Sequence, residues 1–398
     1  MARNVGTISR GIRCPIIKEG DDLKSIVVDA VLTAGKTDGF SLRDKDVIAV
    51  TESVVARSQG NYASVDQIAK DISNKFGKDS VIGIIFPIYS RNRFSILLKG
   101  FARGCKKIFL MLSYPSDEVG NSLLSYDDLD NKNINPYSDV LSLDKYRELF
   151  GFRKHEFTGV DYIEYYTELI KGEGCDIDVI FANQAKAILP YTKKVLTCDI
   201  HTRKRTKRIL KEAGAEIVLG LDDILNSSVD GSGYNRDYGL LGTNKATETT
   251  VKLFPRDAQG LVDSIQEEIL NKTGKHIEVM VYGDGAFKDP QGKIWELADP
   301  VVSPFHTKGL IGTPNELKLK YLADNDFKDL KGDALKTAIS NSIKNKASNL
   351  KGSMSTQGTT PRQITDLLGS LCDLTSGSGD KGTPIILVQG YFDNYTND

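Results

Sequence analysis

Val81-Ile82-Gly83-Ile84-Ile85-Phe86 and Lys107-Ile108-Phe109-Leu110-Met111-Leu112 are two dense apolar runs, and residues 93–105 between them carry apolar side chains at helical spacing. Apolar runs of roughly four to eight residues bounded by charge read as buried strands, and strand, helix, strand at this spacing gives a parallel or mixed sheet. Asp46-Val47-Ile48-Ala49-Val50-Thr51 is a similar run upstream. Downstream, strands are expected at 178–182, 194–198, 216–219, 277–282 and 384–389, and helices at 162–171, 204–213, 258–272 and 361–372. Residues 23–32 form a further helix, with Asp21 or Asp22 as its N-cap. The class is α/β, with mixed α+β as the alternative and helices covering mixed sheet layers.

Residues 114–154 are rich in Asp, Asn and Ser and poor in periodic apolar residues, which predicts a long irregular connection. At 398 residues the chain exceeds what one core usually serves. The expected division is an N-terminal α/β part (1–113), a divergent middle region or insertion (114–275) and a C-terminal part (276–398).

The 52 Lys and Arg against 53 Asp and Glu leave a net charge of -1, which gives no nucleic-acid footprint. No run reaches the ~18 apolar residues that span a bilayer, and residues 1–13 lack a signal-peptide core, so a cytoplasmic location is expected. Cys14, Cys105, Cys175, Cys198 and Cys372 are odd in number and never form a CxxC pair, which argues against structural zinc and a disulfide framework. His155, His201, His276 and His306 show no metal-ligand spacing, so any metal would take oxygen ligands.

Tyr282-Gly283-Asp284-Gly285 leaves the end of an apolar strand, where open α/β sheets place ligands. The Asp284 carboxylate suits a divalent cation, with Glu296 and Asp299 close behind in sequence; a tight turn with a solvated aspartate is the other reading. The segment 376–382, with Gly377, Ser378, Gly379 and Lys381, has the composition to wrap phosphate oxygens, or is a plain connection. Residues 230–235 and 238–245 hold closely spaced glycines, in a functional loop or in hairpin turns. His201 and Arg203 follow a short strand and offer phosphate or carboxylate contacts, as do Arg91 and Arg93; a solvated basic face explains them equally.

Taken in order, several of these segments resemble the coenzyme F-420 gamma-glutamyl ligases, which add glutamate to a deazaflavin coenzyme precursor with GTP. Gly20-Asp21-Asp22-Leu23 is similar to the family's early Gly-Asp-Asp-Leu; residues 46–60, DVIAVTESVVARSQG, to its first strand and following glycine; and TDLLGSLCDLTSGSGDKGTPIILVQG to its closing helix, loop and strand. Tyr282 to Phe287 resembles its Ser-Asp-Thr-Phe-Gly loop. Ser53, Gln59 and Gly285 depart from the family's lysine, glutamate and threonine.

The resemblance implies a metal role for Asp284, nucleotide contacts at Gly20, Asp21, Asp22 and the 377–381 loop, and magnesium or manganese with GTP as co-substrate. It also implies a small carboxylate acceptor, a glutamate-like amino acid and a homodimer. The implied chemistry is acyl-phosphate ligation. A phosphotransferase or nucleotide hydrolase on the same loops is the second reading. A non-catalytic nucleotide-binding module, motivated by the three departures, is the third.

Overall fold

The computed structural model describes residues 4–156, 158–283, 303–356, 363–376 and 380–396. Its strands are β1 (Ile8–Ile12), β2 (Val47–Thr51), β3 (Tyr62–Ser64), β4 (Val81–Ile85), β5 (Lys107–Leu112), β6 (Leu141–Ser142), β7 (Asp176–Phe181), β8 (Lys194–Thr197), β9 (Ile217–Gly220), β10 (Asn244–Lys245), β11 (Thr250–Lys252), β12 (Glu278–Tyr282), β13 (Phe305–His306) and β14 (Ile385–Gln389). They form three sheets, and the α/β class holds.

The central sheet has the order β1-β14-β2-β12-β13. β2 and β12 pair in parallel, Val47 opposite Glu278 through Thr51 opposite Tyr282, whereas β14 runs antiparallel to both β1 and β2. Both faces are apolar and both are covered, as the continuous runs in the sequence require. Ile48, Val50, Val279, Val281, Ile385 and Leu387 face helices Leu23–Asp38 and Gln259–Thr273, while Val47, Ala49, Met280, Tyr282, Ile386 and Val388 face helix Ile364–Ser376. Helix Leu23–Asp38 starts where the sequence placed it: Asp22 accepts the backbone N–H of Ser25 at 3.2 Å.

The six-stranded sheet has the order β6-β7-β5-β4-β8-β9, parallel except at β6. Chain order runs outward from β4 through β5 to β7, then restarts on the other side at β8, so the switch point lies between β4 and β8. Helices Phe94–Arg103 and Tyr162–Gly172 cover one face and Arg203–Glu212 the other. β4 and β5 lie before residue 114 and the other four strands within 114–275. The third sheet, β10-β11-β3, joins residues 62–64 to residues 244–252.

The expected irregular connection at 114–154 instead contains helices Tyr126–Asn131 and Leu143–Phe150. The polar residues that suggested a loop are the caps: Ser125 and Asp128 form a reciprocal capping box, and Ser142 accepts from the Lys145 amide at 3.2 Å. Both helices are too short to show a period, yet Leu129, Tyr146 and Phe150 reach the core. Among the described residues no helix is long and apolar enough to cross a membrane.

Helix Phe94–Arg103 packs closely on helix Val65–Phe76 at Gly100, where a Cβ would stand 2.5 Å from Ile68 Cγ2 and 2.7 Å from its Cβ. Gly100→Ala is expected to lower stability by about 1–3 kcal/mol from overpacking, despite alanine's better helix propensity. Urea unfolding checks this, and unchanged stability would mean the two helices part freely.

Candidate functional site

The direction of the strands in the central sheet brings distant segments to one edge. β2 and β12 are parallel, so Thr51 and Tyr282 end side by side; Glu52 opens helix Glu52–Ser58 there and Gly283 follows β12. A Cβ at Gly283 would lie 2.8 Å from Phe254 Cε2 and 3.3 Å from Glu52 Cγ, so only glycine lets the chain pass at this point. β14 starts from the same edge, its preceding residue Pro384 accepting the Thr51 amide at 2.9 Å. β1 ends there too, with Ile12 opposite Ile385.

Two of the loops anticipated from sequence are tied down at this edge. The Gly20 amide donates to the Ser58 carbonyl at 2.9 Å, and the Glu19 side chain lies against Gly60, which holds φ +60°. Asp21 accepts the Lys18 amide at 2.6 Å, and Asp22 accepts the Ser25 hydroxyl at 2.6 Å, hydrogen bonds that hold the Asp22 carboxyl below the usual range. The Thr383 hydroxyl donates to the Ser376 carbonyl at 2.9 Å, closing the glycine-rich loop at its base. A groove of about 1110 Å³ runs along β1 and helix Leu23–Asp38, with Arg10, Arg13, Asp22, Asp29, Thr375 and Lys381 among its lining. Asp22 and Lys381, more than 350 residues apart, therefore share one groove. Asp284, Glu296, Asp299, Gly377, Ser378 and Gly379 lie outside the described residues. Among the described residues no cluster of three His, Cys, Asp or Glu is arranged to hold a metal.

Behind the edge lies a polar set in which the sequence pointed to Gln59 and the 230–235 loop but not to Glu52, Asn61 or Lys252. Lys252 Nζ stands 2.7 Å from Glu52 Oε2, with side chains 8% and 3% exposed, and Asn244 Nδ2 donates to Glu52 Oε1 at 3.5 Å. Fully buried Asn61 donates to the carbonyls of Phe254 and Tyr234 at 2.8 and 3.1 Å, and accepts from the Tyr234 amide at 2.9 Å and the Arg256 guanidinium. Gln59 donates to the Arg256 carbonyl at 2.6 Å and accepts from its amide at 3.0 Å. The 230–235 loop is thus a folded loop seated on Asn61; Gly233 approaches so closely that a Cβ would stand 2.7 Å from the Tyr62 nitrogen.

Arg91, Arg93, His201 and Arg203 fall elsewhere, beyond the carboxyl ends of β4 and β8 in the six-stranded sheet. Arg203 donates to the Ile200 carbonyl and lies 3.5 Å from Asp222; Lys207 pairs with Asp222 and Asp223 at 2.7 and 2.5 Å. The Glu118 carboxylate accepts the backbone amides of Ile200 and His201, and burial pushes its carboxyl up. Buried Asp199 accepts the hydroxyls of Thr202 and Thr206, each at 2.6 Å, and burial raises it as well. Arg203 and Lys207 are thus paired within the chain.

Lys252→Met removes the ammonium from a buried carboxylate, so a loss of about 3–5 kcal/mol is expected, with most of it recovered in a Glu52→Leu, Lys252→Met double variant. Urea unfolding of the three variants measures the coupling, and strictly additive losses would rule out a coupled pair.

The profile of the family described as F420-0:gamma-glutamyl ligase matches residues 11–390. The coenzyme F420:L-glutamate ligase of Methanothermobacter thermautotrophicus is 31% identical over 70 residues, which is 16% of this chain and 26% of that protein. The chain thus spans about a quarter of the length of this curated relative. The profile match runs through both ends of the central sheet and the whole six-stranded sheet between them, and on that match the chain belongs to the F420-0:gamma-glutamyl ligase family.

Proposed function

We propose that this chain is a nucleotide- and divalent-metal-dependent amide-forming ligase, joining glutamate or a similar amino acid to the carboxylate of a small acceptor, with GTP as phosphoryl donor. The observation that carries the reading is the meeting, at one edge of the central sheet, of the 20–22 segment, the strand end leading into Asp284, and the loop base that bears Lys381. An acceptor carboxylate oxygen attacks the terminal phosphorus and the nucleoside diphosphate leaves; the amine then attacks the acyl carbon and expels phosphate. Neither step calls for a side-chain nucleophile.

The chain's own residues bind and orient. Exposed Lys381 brings one positive charge to the groove, and Thr383 fixes the loop that carries it. The hydrogen bonds from Ser25 keep Asp22 ionised and hold its two oxygens at the start of helix Leu23–Asp38. Magnesium or manganese, when bound, would supply neutralisation of the phosphates, with Asp284, Glu296 and Asp299 as its proposed ligands. The reading includes a cytosolic homodimer.

Thermal unfolding with GTP, ATP or neither, each with and without magnesium or manganese, tests nucleotide use, because a ligand of the folded state alone raises the melting temperature. A metal-dependent rise larger with GTP is expected, followed by nucleotide hydrolysis that requires glutamate and an acceptor. Hydrolysis that ignores the amino acid would instead mark a phosphotransferase or hydrolase. Binding without turnover would mark a module that has lost catalysis.

Lys381→Ala is expected to weaken GTP binding roughly tenfold, the loss of one charge-assisted contact, with the ligand-free melting temperature unchanged. Asp284→Asn is expected to abolish the metal-dependent part of the shift. Full GTP affinity in both variants, read by calorimetry, would remove the nucleotide from this edge.

A further inference from the structure

Two cysteines meet at the amino ends of adjacent parallel strands in the six-stranded sheet. Cys105 follows helix Phe94–Arg103 and leads into β5; Cys175 follows helix Tyr162–Gly172 and leads into β7. β5 and β7 are parallel neighbours, Lys107 opposite Asp176, and the Asp176 amide donates to the Lys106 carbonyl at 3.1 Å. The same helix-to-strand turn is therefore used twice, side by side, with a cysteine in each. Their sulfurs stand 3.8 Å apart across 70 residues of sequence. Cys175 is buried and Cys105 is half-buried, so the pair has one member that solvent can reach.

Both thiols are free. Cys105 also touches the Phe101 carbonyl at 3.2 Å and Cys175 the Asp176 carbonyl at 3.5 Å, so each sulfur is held by its own turn. A disulfide needs its sulfurs at about 2.05 Å, which asks for an approach of just under 2 Å from turns whose backbones are already joined.

We propose that Cys105 and Cys175 are an oxidation site that closes to an intramolecular disulfide by exchange with a small-molecule disulfide. The Cys105 thiolate attacks one sulfur of the oxidant, releasing one small thiol and leaving a mixed disulfide on Cys105. The Cys175 thiolate then attacks the Cys105 sulfur and expels the second thiol, so two protein thiols are oxidised and one disulfide is reduced to two thiols. The bridge closes a 70-residue loop that holds β5, β6 and helices Tyr126–Asn131, Leu143–Phe150 and Tyr162–Gly172. It lies at the amino ends of β5 and β7, on a different sheet from the candidate edge, so it acts on stability and leaves the groove of Asp22 and Lys381 alone.

The test uses the full chain, reduced and then equilibrated with excess oxidised glutathione. Thiol titration under denaturing conditions is expected to find three of the five cysteines remaining free, and peptide mapping to find Cys105 joined to Cys175. The oxidised protein should melt roughly 5 °C higher, since closing a loop of this length restricts the unfolded chain. Cys105→Ser should form no bridge and show no rise. Five free thiols after oxidation, or glutathione adducts without the Cys105–Cys175 peptide, would overturn the proposal; because both are read on the natural sequence, a variant that misfolds cannot obscure the answer.

Discussion

The parallel pairing of β2 with β12 is the constraint on which the rest depends. Parallel neighbours cannot be joined by a tight turn. Here the crossover runs from Thr51 to Glu278 and has grown to contain the entire six-stranded sheet. Parallel direction also sends both chains out at the same edge, and the antiparallel β14 starts where they finish. Residues 20–22, Gly283 and residues 381–384 come to one edge because of these three directions, whatever their sequence separation.

Register in that pairing cannot come from alternation of apolar and polar residues, because both faces of the sheet are apolar and a one-residue slip would bury the same kinds of side chain. Polar side-chain contacts at the strand ends supply it instead: the Asp44 carboxylate accepts the His276 amide at 2.8 Å on the β12 side, and Asp46 meets Gln389 on the β14 side. The buried Asp46 carboxylate accepts the Arg43 amide at 2.7 Å and Gln389 Nε2 at 2.6 Å, while the Lys45 amide donates to the His276 carbonyl at 2.7 Å and the Glu278 amide to the Asp46 carbonyl at 2.8 Å. Arg10 then reaches Gln389 Oε1 at 2.5 Å, so one carboxylate and one amide align β1, β14 and β2. A slip of β14 along β2 would take Gln389 from the buried Asp46 carboxylate, which is costlier than a poorer apolar fit.

Much of this was legible where burial is complete. The runs at 46–51, 81–86, 107–112, 277–282 and 384–389 are strands because only a strand buried on both faces reads as unbroken Val, Ile and Leu, and the Asp22 cap was visible beside the first apolar turn. The order of the strands was not legible, since nothing local distinguishes β4 beside β8 from β4 beside a later strand. The helices at 126–131 and 143–150 were hidden because their polar caps look like loop composition. At the candidate edge, the sequence pointed to Gly20, Asp21, Asp22 and Lys381 by composition and resemblance, and the fold puts Asp22 and Lys381 on one groove. It could not reveal Glu52 and Lys252, whose pairing spans 200 residues, or the adjacency of Cys105 and Cys175, which requires knowing that β5 and β7 are neighbours.

The departures from the family pattern take on different weights once their surroundings are known. Gln59 both gives and takes a hydrogen bond with the backbone of Arg256. A glutamate there offers acceptors only and would leave the Arg256 carbonyl without its donor, so the amide answers to the fold of residues 230–256 and carries no information about turnover. Ser53 is different: it is exposed in the first turn of helix Glu52–Ser58, at the edge where the loops meet. Exchanging a lysine for serine there removes a positive charge from the candidate edge itself, where Lys381 is a cation lining the groove. The His201 to Lys207 cluster cannot make up that charge, because it sits on the other sheet and Arg203 and Lys207 are held by Asp222 and Asp223. For the proposed ligation, the consequence of Ser53 is that this turn offers no cation to an anionic acceptor or amino acid.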